Sequence, residues 1–452
     1  MKLLITIISL AFYFSLPIIC EAQWTLQGTV TGVGYPDISV FNPTGLVVAG
    51  GTTGSPKVFK STNSGVNWTD ISGNMTGTEL GCVWAVDGNL IFAGDVGAPG
   101  GAGGNAKVWK TTNGGTTWSV ILSTGGTQGY FNGIVFSRTE PMIGIAQSDP
   151  PNPGDSFYVA KTTNGGNTWF TQSTISTGGY AAFNSVVCID NLFYGWGSGF
   201  SGPRRVIFTT DGGVTWSIKD IGMSGAYVAG FAMSSDKTTG ITVSNISLPT
   251  VSRSTDSGFT WTTLNTSLPV SSSIVSRVKW VYGTNYCYLT SEIGISGCVG
   301  KSTDAGITWS IMNTSGITDL FNIDLIYIGG TVYAYAINPS GQVIKLQEPI
   351  GIITINSNVP SGFRLEQNYP NPFNPSTKIR FSIPLTLEKA GRNVILAIYD
   401  ILGKEITTLV NEELKPGTYE VEWDASSYTS GIYYYKLEAS DFKETRKMVL
   451  IK

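Results

Sequence analysis

Histidine is absent from all 452 residues. That absence removes Ser-His-Asp and Cys-His catalysis, and the usual His-containing zinc sites, in one step. Charge is sparse: charged residues make up 13% of the chain, and 28 basic against 31 acidic residues leave a formal net charge of −3. Such a chain lacks the concentrated basic footprint of a nucleic-acid binder. Apolar runs long enough to cross a bilayer are missing after the N-terminus. The few cysteines are dispersed, so no metal-ligand constellation and no cofactor site is legible. The glycine run GAPGGAGG (97–104) is not a phosphate loop. It lacks the Lys-Ser/Thr pair and the strand-to-helix setting that such a loop needs.

What is abundant is glycine, at 56 residues, accompanied by Ser, Thr, Asn and aromatics. This is the profile of an all-β protein with many tight turns. One turn recurs six times, about 45–51 residues apart. The copies begin at Ser61, Thr111, Thr162, Thr209, Ser254 and Ser302 and follow Ser/Thr-x-Asp/Asn-x-Gly-x-Thr/Asn-Trp. The third positions are Asn63, Asn113, Asn164, Asp211, Asp256 and Asp304, side chains that accept backbone N–H groups within their own turn. The glycine two residues later suits a left-handed conformation. Trp68, Trp118, Trp169, Trp216, Trp261 and Trp309 then lead into the next strand and offer a large apolar surface for burial.

Four short strands per repeat describe propeller blades, with cores near 37–71, 80–121, 131–173, 183–219, 228–264 and 274–312. A seventh unit, 320–346, has three strands and no turn motif. The segment Gln23–Gln27 resembles the Trp-led fourth strands, and supplying it from the N-terminus would close the ring and protect its edges. Seven blades are expected, with six as the alternative.

Four regions follow. Residues 1–22 read as a secretory signal peptide: Lys2, an apolar run, then Cys20-Glu21-Ala22. Lipoprotein processing at Cys20 is the rival, against which Ile19 stands where a small residue is expected. The propeller spans 23–348 and a linker 349–362. Residues 363–452 carry alternating strands between Gly, Pro and Asn turns, an Ig-like β-sandwich. In an oxidising compartment Cys287 and Cys298, on consecutive strands of one repeat, are expected either to bridge or to remain thiols. Cys82 and Cys188 fall in repeats that are not adjacent and read as small buried apolar residues.

The six turns resemble the Asp-box, or BNR, repeats of sialidases, sortilin-like receptors, xyloglucan-cleaving glycosidases and photosystem II assembly-factor-like propellers. The resemblance covers roughly 24–347 and implies that the box residues are structural and lie on the periphery. The tail resembles the type A C-terminal sorting domain of the type IX secretion system. The matching segments are Asn368–Pro375, Ile398–Asp400 with Gly403, Gly417–Tyr419, Gly431–Tyr435 and Lys447–Leu450. It implies Sec export, recognition by the outer-membrane translocon as partner, and delivery to the cell surface or the medium. Removal of the tail would accompany that delivery.

Sialidases resemble one another in a Phe-Arg-Ile-Pro segment and a three-arginine clamp. No such segment precedes the first turn here, and the propeller's arginines are Arg138, Arg204, Arg205, Arg253 and Arg277. Another glycosidase would need two carboxyl groups roughly 5–10 Å apart in a cleft. Loops on the face opposite the turns offer Asp95, Asp149, Asp155, Arg204, Arg205 and Glu292 as ligand-binding candidates, against solvated turn residues as the competing explanation. Arg277 and Asp324, on neighbouring innermost strands, are expected to form a pair lining the central channel. Tyr130, Phe131, Tyr180, Phe183 and Tyr227 could stack on sugars or pack between blades. The expected function is a secreted or surface propeller that binds a polysaccharide or surface protein without catalysis. A carbohydrate-active hydrolase and a structural adhesion protein are the alternatives.

Overall fold

The computed structural model describes residues 23–451 except 53, 100–102, 153–154, 173–184, 198–203, 223–227, 245–249, 265–273, 293–298, 313, 315, 329, 351–352, 357–359, 361, 385–391, 415, 426–427 and 440. Short apolar runs bounded by Gly, Asn and Asp pair with their sequence neighbours, because such hairpins close the least chain. The first four-stranded antiparallel sheet joins Asp37–Asn42, Gly45–Thr52, Ser55–Ser61 and Thr69–Asp70 in that order. Five more of the same plan span Leu80–Ser123, Phe131–Gln172, Val187–Asp220, Val228–Leu264 and Ile274–Met312.

The seventh sheet draws on both ends of this region. Asn322–Ile328, Thr331–Ile337 and Gln342–Pro349 are joined by Thr25–Thr29, with Thr25 opposite Lys345 and Thr29 opposite Gln342. Trp24, just ahead of that strand, is fully buried among Leu320, Ile323 and Ile344. The first strands of successive sheets touch in turn, and Asn322–Ile328 touches Asp37–Asn42, so the ring is closed: a β-propeller. Adjacent sheets share apolar cores, as where Val47, Ala49 and Val58 of the first meet Leu80, Val83 and Ile91 of the second.

The repeated turn is built identically in all six copies. Its first hydroxyl is buried in each, at Ser61, Thr111, Thr162, Thr209, Ser254 and Ser302. That hydroxyl donates to the Asn or Asp Oδ1 at 2.8–3.0 Å and accepts the glycine N–H at 2.9–3.0 Å. The same Oδ1 accepts the N–H of the seventh residue at 2.8–3.0 Å. Left-handed backbone occupies two positions rather than one: φ is 58–77° at the fourth residue and 78–94° at the fifth. Ser64, Ser257 and Ala305 therefore hold a conformation that a Cβ disfavours.

The fifth-position glycine meets a second demand, close approach to the preceding sheet. A Cβ on Gly115 would lie 2.5 Å from that of Ile71, one on Gly166 2.3 Å from Phe92 Cζ, and one on Gly306 2.4 Å from Ile241 Cδ1. A cation before the turn then reaches the next sheet's turn. Lys110 Nζ donates to Gly166 O at 2.9 Å, Arg253 Nε to Ala305 O at 2.9 Å, and Lys345 Nζ to Ser64 Oγ at 3.1 Å. The motif tryptophans pack into the same seams: Trp118 is buried and donates its Nε1–H to Ile71 O.

Cys287 is a buried free thiol opposite Ser302, while Val299 stands opposite Thr290 at the other end of the ladder. The register runs the strand that follows residue 298 away from Cys287, and Cys298 itself lies outside the described residues. Cys82 and Cys188 are buried free thiols. Within the stretch expected as linker, Ile353–Asn356 is a strand paired with Gly417–Asp424.

The tail forms two four-stranded sheets. One orders Ile353–Asn356, Gly417–Asp424, Ser376–Ile383 and Arg364–Leu365; the other orders Glu405–Leu414, Arg392–Tyr399, Gly431–Ala439 and Phe442–Leu450. Phe373, Phe381, Tyr419, Trp423 and Tyr435 fill the core between them. The Asn-Tyr-Pro-Asn-Pro-Phe segment is a structural clasp. Asn368 N–H donates to Tyr435 Oη at 2.8 Å, and Phe373 N–H to Val449 O at 3.0 Å on the last strand.

Exchanging the two left-handed positions of one turn tests this construction. Ala305→Gly should stabilise the chain by about 0.5 kcal/mol or more, since relief at positive φ outweighs the added unfolded-state entropy. Gly306→Ala should destabilise it by about 1–3 kcal/mol, through φ and through the clash with Ile241. Urea denaturation of both variants beside the wild type reads the two signs.

Candidate functional site

The innermost strands carry polar side chains into the ring's centre, where each must find a partner or remain costly to bury. Asp37 is buried. Its Oδ1 accepts Ile38 N–H at 2.9 Å and Asn322 Nδ2–H at 2.6 Å, and its Oδ2 accepts Val83 N–H at 2.7 Å. Burial pushes this carboxyl up to about 6, against the lowering pull of those N–H groups and of the Lys279 and Arg277 charges. Asp324 Oδ2 accepts Val40 N–H and Arg138 Nη2–H, both at 2.8 Å, with Lys279 Nζ 3.8 Å from its Oδ1. Arg138 also donates to Val40 O at 3.1 Å and lies over the Trp84 ring at 4.4 Å. It thus braces the third, first and seventh sheets together.

The expected Arg277–Asp324 pair is therefore replaced. Asp324 takes Arg138 and Lys279, while buried Arg277 donates to Ala229 O at 3.3 Å and stacks on the Phe321 ring at 5.0 Å. Side chains two apart on a strand share a face, and Lys279 is the one of this pair that reaches Asp324. Asp37 and Asn322, which sequence reasoning missed, complete the network. Their signal was a polar residue opening the first strand in each of two blades adjacent only after ring closure.

The faces of the ring follow from the turns. The N–H groups of Ser64, Gly114, Gly165, Gly212, Ser257 and Ala305 donate to Thr44, Asn89, Met142, Leu192, Thr238 and Asn285 O, all in first hairpins of their own sheets. Turns and first hairpins thus share one face. On that face the channel opens into a cavity of about 920 Å³ lined by Trp84, Arg138, Lys279, Trp280, Tyr282 and Tyr327. Lys378, Arg380, Glu420 and Glu422 of the tail form its far wall. Burial first, and then the Glu422 and Glu420 charges, push the Tyr327 hydroxyl well above its ordinary range.

On the opposite face the candidates behave differently. Asp95 is buried, accepting Gly97 and Lys107 N–H on Oδ1 and Trp109 Nε1–H on Oδ2. Burial raises its pKa, and its role there is to shape a loop. Asp149 is buried and accepts Asn132 Nδ2–H at 2.8 Å. Its backbone N–H donates to Tyr130 O. Burial raises the Tyr130 hydroxyl as well. Phe131 is fully buried, edge-on to Tyr158 at 5.9 Å. Asp155 is exposed and accepts Asn152 Nδ2–H, while Arg204 and Arg205 are half-buried. Tyr180, Phe183, Tyr227 and the Glu292 side chain lie outside the described residues.

Chemically, the channel holds two carboxylates, Asp37 and Asp324, that are engaged by donors. The space they share with Lys279 and Asn322 is about 20 Å³, room for a water and not for a sugar ring. Among the described residues, no group of three or more His, Cys, Asp or Glu is gathered for a metal.

Asp37 carries a pH signature. Its carboxyl binds a proton more readily folded than unfolded, so its contribution to stability is complete below the ordinary value of 3.8 and is lost as pH rises through about 6. Between pH of about 4 and about 7 the wild type should therefore lose about 2–3 kcal/mol more stability than Asp37→Asn. Urea melts across that range check it, and parallel profiles would remove the effect from Asp37.

Residues 367–452 match the model of the secretion system C-terminal sorting domain. No curated protein matches the sequence. Among solved structures, YCF48 bound to D1 peptide is similar at a TM-score of 0.50 and 13% identity, covering 74% of this chain and 99% of that one. YCF48 from Cyanidioschyzon merolae gives 0.49 and 15%, covering 72% and 99%. PorZ, a surface component of the type-IX secretion system of Porphyromonas gingivalis, gives 0.46 and 14%, covering 93% of this chain and 60% of PorZ. At 13% identity, the likeness to the first of these is one of fold, the β-propeller. The chain is a β-propeller whose last 86 residues, 367–452, form the C-terminal sorting domain of a type IX secretion system.

Proposed function

We propose that this protein is a secreted or cell-surface, seven-bladed Asp-box propeller that binds an extracellular carbohydrate without catalysis, exported through its Ig-like tail. Seven sheets closed by Thr25–Thr29 support seven blades over six. The six identical turns support the Asp-box assignment. The observation that carries the binding function is the cavity of about 920 Å³ on the turn face, where Trp84, Trp280, Tyr282 and Tyr327 surround Arg138 and Lys279. Aromatic faces beside a few placed charges are the usual equipment of a ligand site. Against hydrolysis stand the three donors on Asp37 and the pairing of Asp324, which leave neither carboxyl open to a leaving group.

Protein recovered from the medium should be retained by at least one member of a polysaccharide panel without releasing reducing ends. Tyr282→Ala, a half-buried cavity residue, should weaken that retention by about tenfold. Released sugar ends would establish the hydrolase instead. Retention by surface proteins alone would make the ligand a protein, and no retention at all would leave a structural role. Export is tested separately: deletion of 358–452 should hold the protein in the periplasm, as read by cell fractionation. Undiminished surface delivery would refute the tail's role.

A further inference from the structure

The seventh sheet fixes where the chain leaves the ring. Its fourth strand comes from the N-terminus, so the chain departs from the third, Gln342–Pro349. Pro349 stands opposite Thr331, in the hairpin that follows Ile328, and Ile328 lines the turn-face cavity. The tail's first strand begins at Ile353 and is already paired with Glu420. Four residue steps reach about 14 Å at most. The tether is too short to carry the tail's first sheet away from the turn face.

That sheet presents a polar surface to the cavity. On Ser376–Ile383, Thr377, Ile379 and Phe381 are buried while Lys378 and Arg380 point outward. Lys378 pairs across the ladder with Glu422, and Arg380 with Glu420. Glu420 accepts Lys378 Nζ at 3.0 Å and Arg380 Nε at 2.5 Å, so this surface is neutralised within the tail. Among the described residues, the apolar core of the tail draws on tail residues alone, and no propeller core contains a residue beyond Ile350. Among the described residues, the two bodies face each other across the cavity on a short tether, with the tail's inward charges paired within the tail and no apolar core shared. Such an arrangement is a releasable one.

We infer that the sorting tail is a tethered lid: while attached, it closes the turn-face mouth of the propeller to polymeric ligands, and its departure opens the mouth. This rests on the proposed binding function only for what eventually enters; closure itself is a matter of access. The sorting tail would then couple export to activation, because the domain that directs the chain outward also covers its site.

Access is measurable without knowing the ligand. Ser235→Cys places a thiol on the cavity wall, and Thr127→Cys places one in an exposed loop beyond a fourth strand, on the opposite face. Cys82, Cys188 and Cys287 are buried, and Cys298 is replaced by serine in both variants. The full chain, carrying a protease recognition sequence at Gly351–Ile352, is labelled with a small maleimide and with a polyethylene-glycol maleimide. Labelling is done before cutting and again after the separated tail has been removed by size exclusion. At position 235 the polymer reagent should react about tenfold faster after cutting, with the small reagent little changed. At position 127 neither should change. Circular dichroism of the cut propeller confirms that it stays folded. Equal polymer labelling at position 235 before and after cutting would overturn the lid. An open mouth after cutting that retains no polysaccharide would leave the lid standing and remove the carbohydrate site.

Discussion

Everything in the ring depends on how closely one blade can approach the next, and that distance is set at the turn between third and fourth strands. One buried hydroxyl there accepts two backbone N–H groups and donates to the side chain that organises the rest of the turn. In four of the six copies, at Gly115, Gly166, Gly213 and Gly306, the turn so held presents its glycine to the preceding blade at a distance no Cβ tolerates. A cation from that blade then donates to the turn's own carbonyl, as Lys110 does to Gly166. Local geometry and inter-blade packing are thus one constraint. The fourth blade tests the rule, because Phe208 stands where its neighbours place a cation. It answers with packing instead: its ring lies against Gly258 and edge-on to Phe259 at 5.5 Å.

The channel solves a different problem. Innermost strands from seven sheets converge, and each polar group they carry must be matched by one from elsewhere in the ring. Asp37 is matched by a backbone N–H of the second sheet and a carboxamide of the seventh. Asp324 is matched by Arg138 from the third. These are low-dielectric, multiply bonded sites, and removing one partner would strand a buried charge. Their stringency argues for a structural role in the channel itself, leaving the wider mouth beyond them as the place proposed for the ligand.

The contrast between these two layers explains what could be read from the sequence. The turn is local: hydroxyl, carboxamide, glycine and tryptophan fall within eight residues, so spacing alone placed the strands within a few positions. Trp24 signalled the closing strand for the same reason, since it copies a local pattern. The second left-handed position was not legible, because Ser64, Ser257 and Ala305 stand where only Gly114, Gly165 and Gly212 advertise the conformation. Arg138 and Asp324 lie 186 residues apart. No periodicity links them, and a pairing guessed from neighbouring strands chose Arg277 over Lys279, two residues further along. Ile353–Asn356 was hidden similarly, as a short strand whose partner lies beyond the next four.

Ring closure reaches further than the ring. Had the propeller built its last blade from consecutive strands, the chain would have left from an outermost fourth strand, on the face opposite the turns. Borrowing Thr25–Thr29 moves the exit one strand inward and reverses its direction, so the chain emerges beside Ile328 on the turn face. With the tail's first ladder beginning at Ile353, the sorting domain has no other face to occupy. The strand that closes the propeller thereby determines which mouth the tail covers. The cavity on the side of the structural turns has the tail as its far wall because the N-terminal strand has placed the chain's exit there.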